Sequence, residues 1–226
     1  MITYTFTDDT ILDSVRSLPC FYGYYRLCKD RYDLCKKSPL MFFLSISPDS
    51  PFVLHFVDDN SGYSRFLQIL RRYSLDEFMN ACKYVHNLYM RCTRVKQRID
   101  YICNNYSSAY FVTFTISDSF IGYPYKDLWK VVKETLSFTS SCYVFNPDYS
   151  PNNNRLHFHA VCTLDKFNDI ENLPYSIGFY KVEVIRKGLY DNGTSSSTKI
   201  SRYLTKLAKH STKNGTLKST FSRLSK

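Results

Sequence analysis

The strongest constraint on the fold is one long amphipathic segment in the middle of the chain. Ser74-Leu75-Asp76-Glu77 has the form of a capping box, in which the serine and the glutamate each satisfy a backbone N–H group of the other. Apolar residues then recur at helical spacing until about residue 104, and they are Phe78, Cys82, Val85, Leu88, Cys92, Val95, Ile99 and Ile102. The pattern predicts one helix over 75–104, far longer than the average helix of a globular protein.

Strand and helix patterns alternate after this helix. Residues 110–116 are β-branched or aromatic throughout and predict a central strand that presents Phe111, Thr113 and Thr115 on one surface. Further strands are predicted at 141–145, 155–164 and 179–185, and helices at 125–138 and 200–210. The loop 146–154 should make its two flanking strands antiparallel neighbours. The expected class is α+β, a central antiparallel sheet with helices packed against it.

The N-terminal residues 1–73 are less regular. Residues 40–45 and 52–57 predict two strands of a hairpin around the proline-containing turn 47–51. We therefore expect an N-terminal extension of unassigned role over 1–73, a main domain over 74–210 and a basic polar tail over 211–226.

The composition favours a nucleic-acid partner. The 226 residues carry a formal charge of +10, and 17% of them are aromatic. Cations neutralise phosphates, while flat rings stack on unpaired bases. The chain from residue 192 onward has no acidic residue, and its basic residues are Lys199, Arg202, Lys206, Lys209, Lys213, Lys218, Arg223 and Lys226. The polar face of the long helix is also basic, and it is either an ordinary solvated face or one that meets phosphates.

The cysteines and the apolar segments give weaker information. None of the eight cysteines forms a Cys-x-x-Cys pair, so most are expected to be reduced thiols packed in the core. Cys20, Cys28 and Cys35 are only a weak candidate for a metal clip. The chain has no run of 18 apolar residues, and its first ten residues do not resemble a signal peptide. We expect a cytoplasmic protein with no membrane partner.

His157-Phe158-His159 is the candidate metal site. On a strand, residues at i and i+2 point to the same side, and neutral imidazole nitrogens bind divalent metals. Asp148 is the candidate third ligand because its loop precedes the histidine strand, although an ordinary turn residue is an equal interpretation. Asn146, Asp165 and Glu183 are the substitutes. Two imidazoles and a carboxylate would make an open site suited to Mg²⁺ or Mn²⁺. The alternative is that both histidines are structural.

Tyr203 and Lys206 form the candidate catalytic pair. At i and i+3 they lie on one face of the predicted helix. A phenol is a weak nucleophile, but a phosphodiester held by a divalent metal is electrophilic enough to be attacked, and an ammonium group helps to hold the phosphate. The alternative is that Tyr203 is simply one of 20 tyrosines.

The order of a Thr-Phe-Thr strand, then His-x-His, then Tyr-x-x-Lys resembles the HUH-type rolling-circle replication initiators. The resemblance covers residues 74–210, and the basic helix leading into the strand resembles the replication proteins of small single-stranded DNA phages of the microvirus type. It implies a ferredoxin/RRM-like core, a metal held by His157 and His159, and Tyr203 as a single nucleophile with Lys206 beside it.

The resemblance also implies a function. Such a protein nicks single-stranded DNA at a replication origin, keeps the 5′ end as a phosphotyrosine, and leaves a 3′-hydroxyl for a host polymerase. No phosphate-binding Gly-x-x-x-x-Gly-Lys-Ser/Thr motif occurs, so a host helicase would be the second partner. A single-tyrosine transposase or relaxase, or a non-catalytic nucleic-acid-binding protein, are the alternatives. The expected DNA contacts are Arg94, Arg98, Thr113, Thr115, Arg202 and Lys209.

Overall fold

The computed structural model describes residues 10–45, 60–150, 155–186, 195–205 and 219–222. The chain divides into two compact units, Met1–Tyr89 and Met90–Lys226. In the part of the chain that is described, no helix is both long and apolar enough to cross a membrane.

Helices make up the described part of the first unit. They are α1 (Thr10–Ser17), α2 (Phe21–Asp30), α3 (Tyr32–Lys37), α4 (Pro39–Leu44), α5 (Asn60–Arg72) and the first half of α6 (Leu75–Asn105). Tyr24, Phe66 and Phe78 are fully buried at the centre, where the Tyr24 ring stacks on Phe66 with centroids 4.7 Å apart. These aromatic rings join the helices into one apolar core.

The predicted hairpin in this unit is wrong in its first arm. Residues 40–44 belong to α4 rather than to a strand. The backbone N–H of Met41 donates to Ser38 Oγ at 3.3 Å, and Pro39 occupies the first position of the helix. A serine cap followed by proline is a helix start, and that local signal outweighs the apolar run after it. The second arm, 52–57, lies outside the described residues.

The long helix is confirmed, and so is its capping box. Helix α6 begins at Leu75 and ends at Asn105. The Ser74 backbone N–H donates to Glu77 Oε2 at 2.8 Å, and the Glu77 N–H donates back to Ser74 Oγ at 3.3 Å. The sequence signal is local, which is why it placed this helix start correctly.

The second unit contains one five-stranded antiparallel sheet. Its strands are β1 (Tyr110–Ile116), β2 (Tyr143–Tyr149), β3 (Leu156–Cys162), β4 (Gly178–Val184) and β5 (Thr220–Phe221), in the spatial order β4-β1-β3-β2-β5. Helix α7 (Tyr125–Thr139) follows β1, and helix α8 (Ser196–Leu204) follows β4. The α+β class with helices on an antiparallel sheet is confirmed.

The two faces of the sheet pack differently. One face is mostly apolar: Phe158 and Phe145 are buried in a cluster with Val132 and Leu136 of α7. On the other face, Val144 and Val161 lie in a cluster with Ile99 of α6 and with α8. The apolar cluster covers only part of this second face, which leaves its remaining positions for polar side chains.

Several element boundaries differ from the prediction, among them those of β2, α8 and β5. Strand β2 continues through Pro147 to Tyr149, where a loop was predicted. Proline lacks an N–H, but β5 pairs only with Val144 and Phe145, so among the described residues Pro147 lies on an open edge where proline is tolerated. Helix α8 begins at Ser196, because Ser195 Oγ accepts from the Thr198 N–H at 3.2 Å. Strand β5 lies in the predicted tail.

Candidate active site

The register of the sheet puts the predicted site residues in two adjacent rows on one face. Thr113, His159 and Asn146 are direct cross-strand partners, and the next row is Thr115, His157 and Asp148. The prediction that both imidazoles share a face is confirmed. Asp148 reaches them from the strand β2 and not from a loop, since pairing with β3 holds it directly opposite His157.

His159 is the most constrained side chain of this group. Its Nδ1 is hydrogen-bonded to Thr113 Oγ1 at 3.1 Å, and its Nε2 to the Tyr203 hydroxyl at 3.1 Å. Asp148 Oδ2 lies 3.5 Å from the same Nε2. His159 is 8% exposed and Asp148 is 9% exposed. Contacts at both ring nitrogens fix the orientation of the imidazole, and Nε2 faces the carboxylate and the phenol.

Tyr203 comes to the site from the last turn of α8, 44 residues further along the chain than His159. Its ring packs edge-on against His159, with centroids 5.1 Å apart, and against Phe111 at 6.1 Å. The residue is 43% exposed, so part of its side chain is open to solvent. Burial of the ring raises the pKa of Tyr203, and the charge of Asp148 raises that pKa further.

His157 offers a second nitrogen to the same area. Its Nδ1 is hydrogen-bonded to the Arg155 backbone oxygen at 2.8 Å; a carbonyl only accepts, so Nδ1 donates, and in the neutral ring the lone pair lies on Nε2. The His157 and His159 rings have centroids 6.3 Å apart. Two ligand atoms that each lie about 2.1 Å from one ion, at roughly 90–110°, are about 3.0–3.5 Å apart. The Asp148–His159 separation matches that range.

The three side chains do not yet form a closed metal site. Within the described ranges, no group of three or more His, Cys, Asp or Glu residues lies close enough together to hold a metal ion. Of the three cysteines considered as a metal clip, Cys28 and Cys35 are neighbours, with sulfurs 3.5 Å apart, whereas Cys20 is exposed. Two imidazoles and a carboxylate are the right types of donor for a divalent metal, but His157 would have to move closer to His159 and Asp148 to complete the site.

The substitute ligands have different roles. Asp165 accepts from the Ser141 N–H at 2.8 Å and from the Thr163 hydroxyl. Glu183 pairs with Lys181 at 2.9 Å on the exposed edge strand β4. Asn146 lies at the site, where its Nδ2 donates to the Leu204 backbone oxygen at 2.6 Å. Sequence reasoning named Asn146 only as a ligand and missed this link to the helix that carries Tyr203.

The predicted DNA-contacting residues are distributed unevenly. Thr113 contacts His159, and Thr115 is half-buried opposite His157. Arg94 and Arg202 are exposed. Arg98 is half-buried, and its guanidinium donates to Ser222 Oγ at 3.3 Å and lies over the Phe221 ring. Arg98 therefore contributes to packing near β5. Lys206 and Lys209 lie outside the described residues.

Phe179 is a site residue that sequence reasoning missed. It is the cross-strand partner of Thr115, so it extends the row of His157 and Asp148 to the edge strand β4. It is 69% exposed, so most of its ring is open to solvent. The alternation of β4 in the sequence predicted the strand but not which of its faces carries the site.

Comparison of the chain with protein-family models, with curated proteins and with solved structures found no match.

Proposed function

We propose that this protein nicks single-stranded DNA at a replication origin, with Tyr203 as the nucleophile, and so starts rolling-circle replication. The observation that carries the proposal is the contact of the Tyr203 hydroxyl with His159 Nε2, beside Asp148. The three residues come from separate elements, and the order of their motifs resembles that of HUH-type initiators. A partly exposed phenol in contact with one imidazole of the His-x-His pair, and next to a carboxylate, suits phosphoryl transfer.

In the proposed reaction, Tyr203 Oη forms a bond to phosphorus while the bond from phosphorus to the 3′ oxygen breaks. The phenol proton passes to water, and the departing 3′ oxygen takes up a proton to become a hydroxyl that a host polymerase extends. The 5′ end stays on Tyr203 as a phosphotyrosine. The exchange of one phosphodiester for another is reversible, so the same residue can rejoin the ends after a round of replication.

His157, His159 and Asp148 would hold a divalent metal, Mg²⁺ or Mn²⁺. The donor set supports this, because two neutral imidazoles and a carboxylate leave positions open for phosphate oxygens. When bound, such an ion withdraws negative charge from the phosphate. Thr113 orients His159 for this role through Nδ1. The proposal gives Lys206 the task of steadying the phosphate through its ammonium group.

The partner would be an unpaired DNA strand, with a host helicase to expose it. The formal charge of +10 supports binding to phosphates. Phe179 offers a ring for base stacking, and Lys181, also exposed, is the cross-strand partner of Thr113. Arg202 lies next to Tyr203 and is exposed. Phe179 and Lys181 lie in the same cross-strand rows as the two histidines.

One observation favours a second candidate, a nucleic-acid-binding protein without catalysis. Both ring nitrogens of His159 already have protein partners, and Nδ1 of His157 is bonded to the backbone. Histidines satisfied in this way can be purely structural. This candidate predicts that divalent metal changes neither DNA cleavage nor thermal stability.

The test uses a pool of single-stranded oligonucleotides with a randomised segment, incubated with the protein and Mn²⁺. We expect a covalent protein–DNA adduct that survives denaturing electrophoresis, and sequencing of the captured strands gives the preferred site. Tyr203→Phe should abolish the adduct, whereas Tyr101→Phe, on the exposed side of α6, should form it normally. An adduct that persists in Tyr203→Phe would contradict the assignment of the nucleophile.

A further inference from the structure

The carboxyl end of α8 is attached to the sheet at two points of different character. Leu204 is 2% exposed and lies in the apolar cluster that contains Val144 and Val161. Its backbone oxygen also accepts the hydrogen bond from Asn146 Nδ2 at 2.6 Å. Apolar contact has no preferred direction, so by itself it lets a helix roll, whereas a hydrogen bond fixes the position of the carbonyl.

The identity of the amide atom follows from its partner. A backbone carbonyl can only accept, so the NH₂ group of Asn146 must face Leu204. Asn146 is 1% exposed, and its Oδ1 has no hydrogen-bond partner among the described residues. Burying an unpaired amide oxygen costs free energy, so the stability of the fold alone does not account for an asparagine at this position. Asn146 is also the direct cross-strand partner of His159.

We propose that Asn146 is a positioning residue: by holding the Leu204 carbonyl, it sets the rotation of α8 that keeps the Tyr203 hydroxyl against His159. The phenol oxygen lies about 9 Å from the helix axis, given a Cα radius of about 2.3 Å. A roll of about 10° would therefore move it by about 1.5 Å, which breaks a 3.1 Å hydrogen bond. The catalytic meaning of this role rests on the proposed function.

The first experiment uses the wild-type protein without DNA or metal. NMR measures the exchange rates of side-chain amide protons of Asn146 and of Asn105, whose Nδ2 donates at 2.9 Å to Tyr101 O on an exposed helix end. We expect exchange at Asn146 to be slower by at least about tenfold, because its donor is buried and bonded. Equal rates would overturn the proposal without any variant being made.

The second experiment measures whether Asn146 controls the contact between Tyr203 and His159. In the wild type, Tyr203→Phe should shift the ¹⁵N resonance of His159 Nε2, since the hydrogen bond is lost. In an Asn146→Leu background the same change should produce less than half of that shift. The matched control background is Asn105→Leu, in which the full shift is expected. A full shift in Asn146→Leu would contradict the positioning role.

Activity separates this role from general stability. Asn146→Leu should lower kcat for adduct formation about 10- to 100-fold, as expected for a misplaced nucleophile, with KM for the oligonucleotide unchanged. If wild-type protein forms no adduct while both NMR results hold, the proposed function fails and the positioning of Tyr203 stands. If the adduct forms normally in Asn146→Leu, the positioning role fails and the nuclease stands.

Discussion

The Tyr203 hydroxyl and a metal ion would compete for the same nitrogen. In either tautomer of His159, the hydrogen bond to Tyr203 uses the Nε2 position that a metal would occupy. Nδ1 is not an alternative because Thr113 holds it. A metal held by His159 would therefore displace the Tyr203 hydroxyl from Nε2.

The size of the effect follows from the hydrogen bond that is lost. A partly buried neutral hydrogen bond contributes about 0.5–1.5 kcal/mol net. Tyr203 is 43% exposed, so water can satisfy its hydroxyl once it leaves His159. Tyr203→Phe removes this competitor and should bind Mn²⁺ about 2- to 12-fold more tightly than the wild type, which is the same free energy expressed as an affinity ratio.

Isothermal titration calorimetry with MnCl₂ measures this ratio directly. Tyr101→Phe serves as the control, because Tyr101 is 38% exposed on α6 and makes its ring contact with Tyr106. We expect its Mn²⁺ affinity to equal that of the wild type. An affinity in Tyr203→Phe that is unchanged or weaker would refute the competition for Nε2.

Three further outcomes are expected. Phe179→Ala should raise Kd for a single-stranded oligonucleotide about 5- to 150-fold, as measured by fluorescence anisotropy, because about 1–3 kcal/mol of base stacking is lost. Phe138→Ala, which changes a similarly exposed phenylalanine on α7, should leave Kd unchanged, and equal effects of the two substitutions would contradict stacking on Phe179. Asp148→Asn should lower the pKa of Tyr203, because it removes the charge that raises this pKa, but the increase caused by burial should remain. The ¹³Cζ shift of Tyr203 followed between pH 8 and 12 measures the pKa, and an unchanged titration midpoint would contradict the charge effect. Ser74→Ala should destabilise α6 by about 1 kcal/mol in urea unfolding, and no change would mean that the capping box contributes nothing.

Local signals in the sequence predicted part of the fold well. The capping box at Ser74 and the alternation around His157 and His159 depend on neighbouring residues, and both gave the observed elements. Asp148 was assigned to a loop because Pro147 and aspartate both disfavour strands. Pairing with β3 extends the strand through them, and that pairing is a tertiary effect that composition does not report.

The candidate site was predictable as a set of residue types but not as a network. The motif order brought Tyr203 and the histidines into one hypothesis, and the fold places Tyr203 in contact with His159. The link from Asn146 to Leu204 joins residues 58 positions apart and has no sequence pattern. The role of Thr113 likewise depends on the register between β1 and β3, which alternation alone cannot give.

The most direct test of the proposed nuclease activity is to locate the covalent bond between protein and DNA. After reaction with the oligonucleotide pool and Mn²⁺, digestion with nuclease and trypsin should release the peptide 203–206 with a 5′-linked nucleotide phosphate on Tyr203, as read by tandem mass spectrometry. A nucleotide attached to any other residue, or strand cleavage with no protein-linked nucleotide, would contradict Tyr203 as the nucleophile.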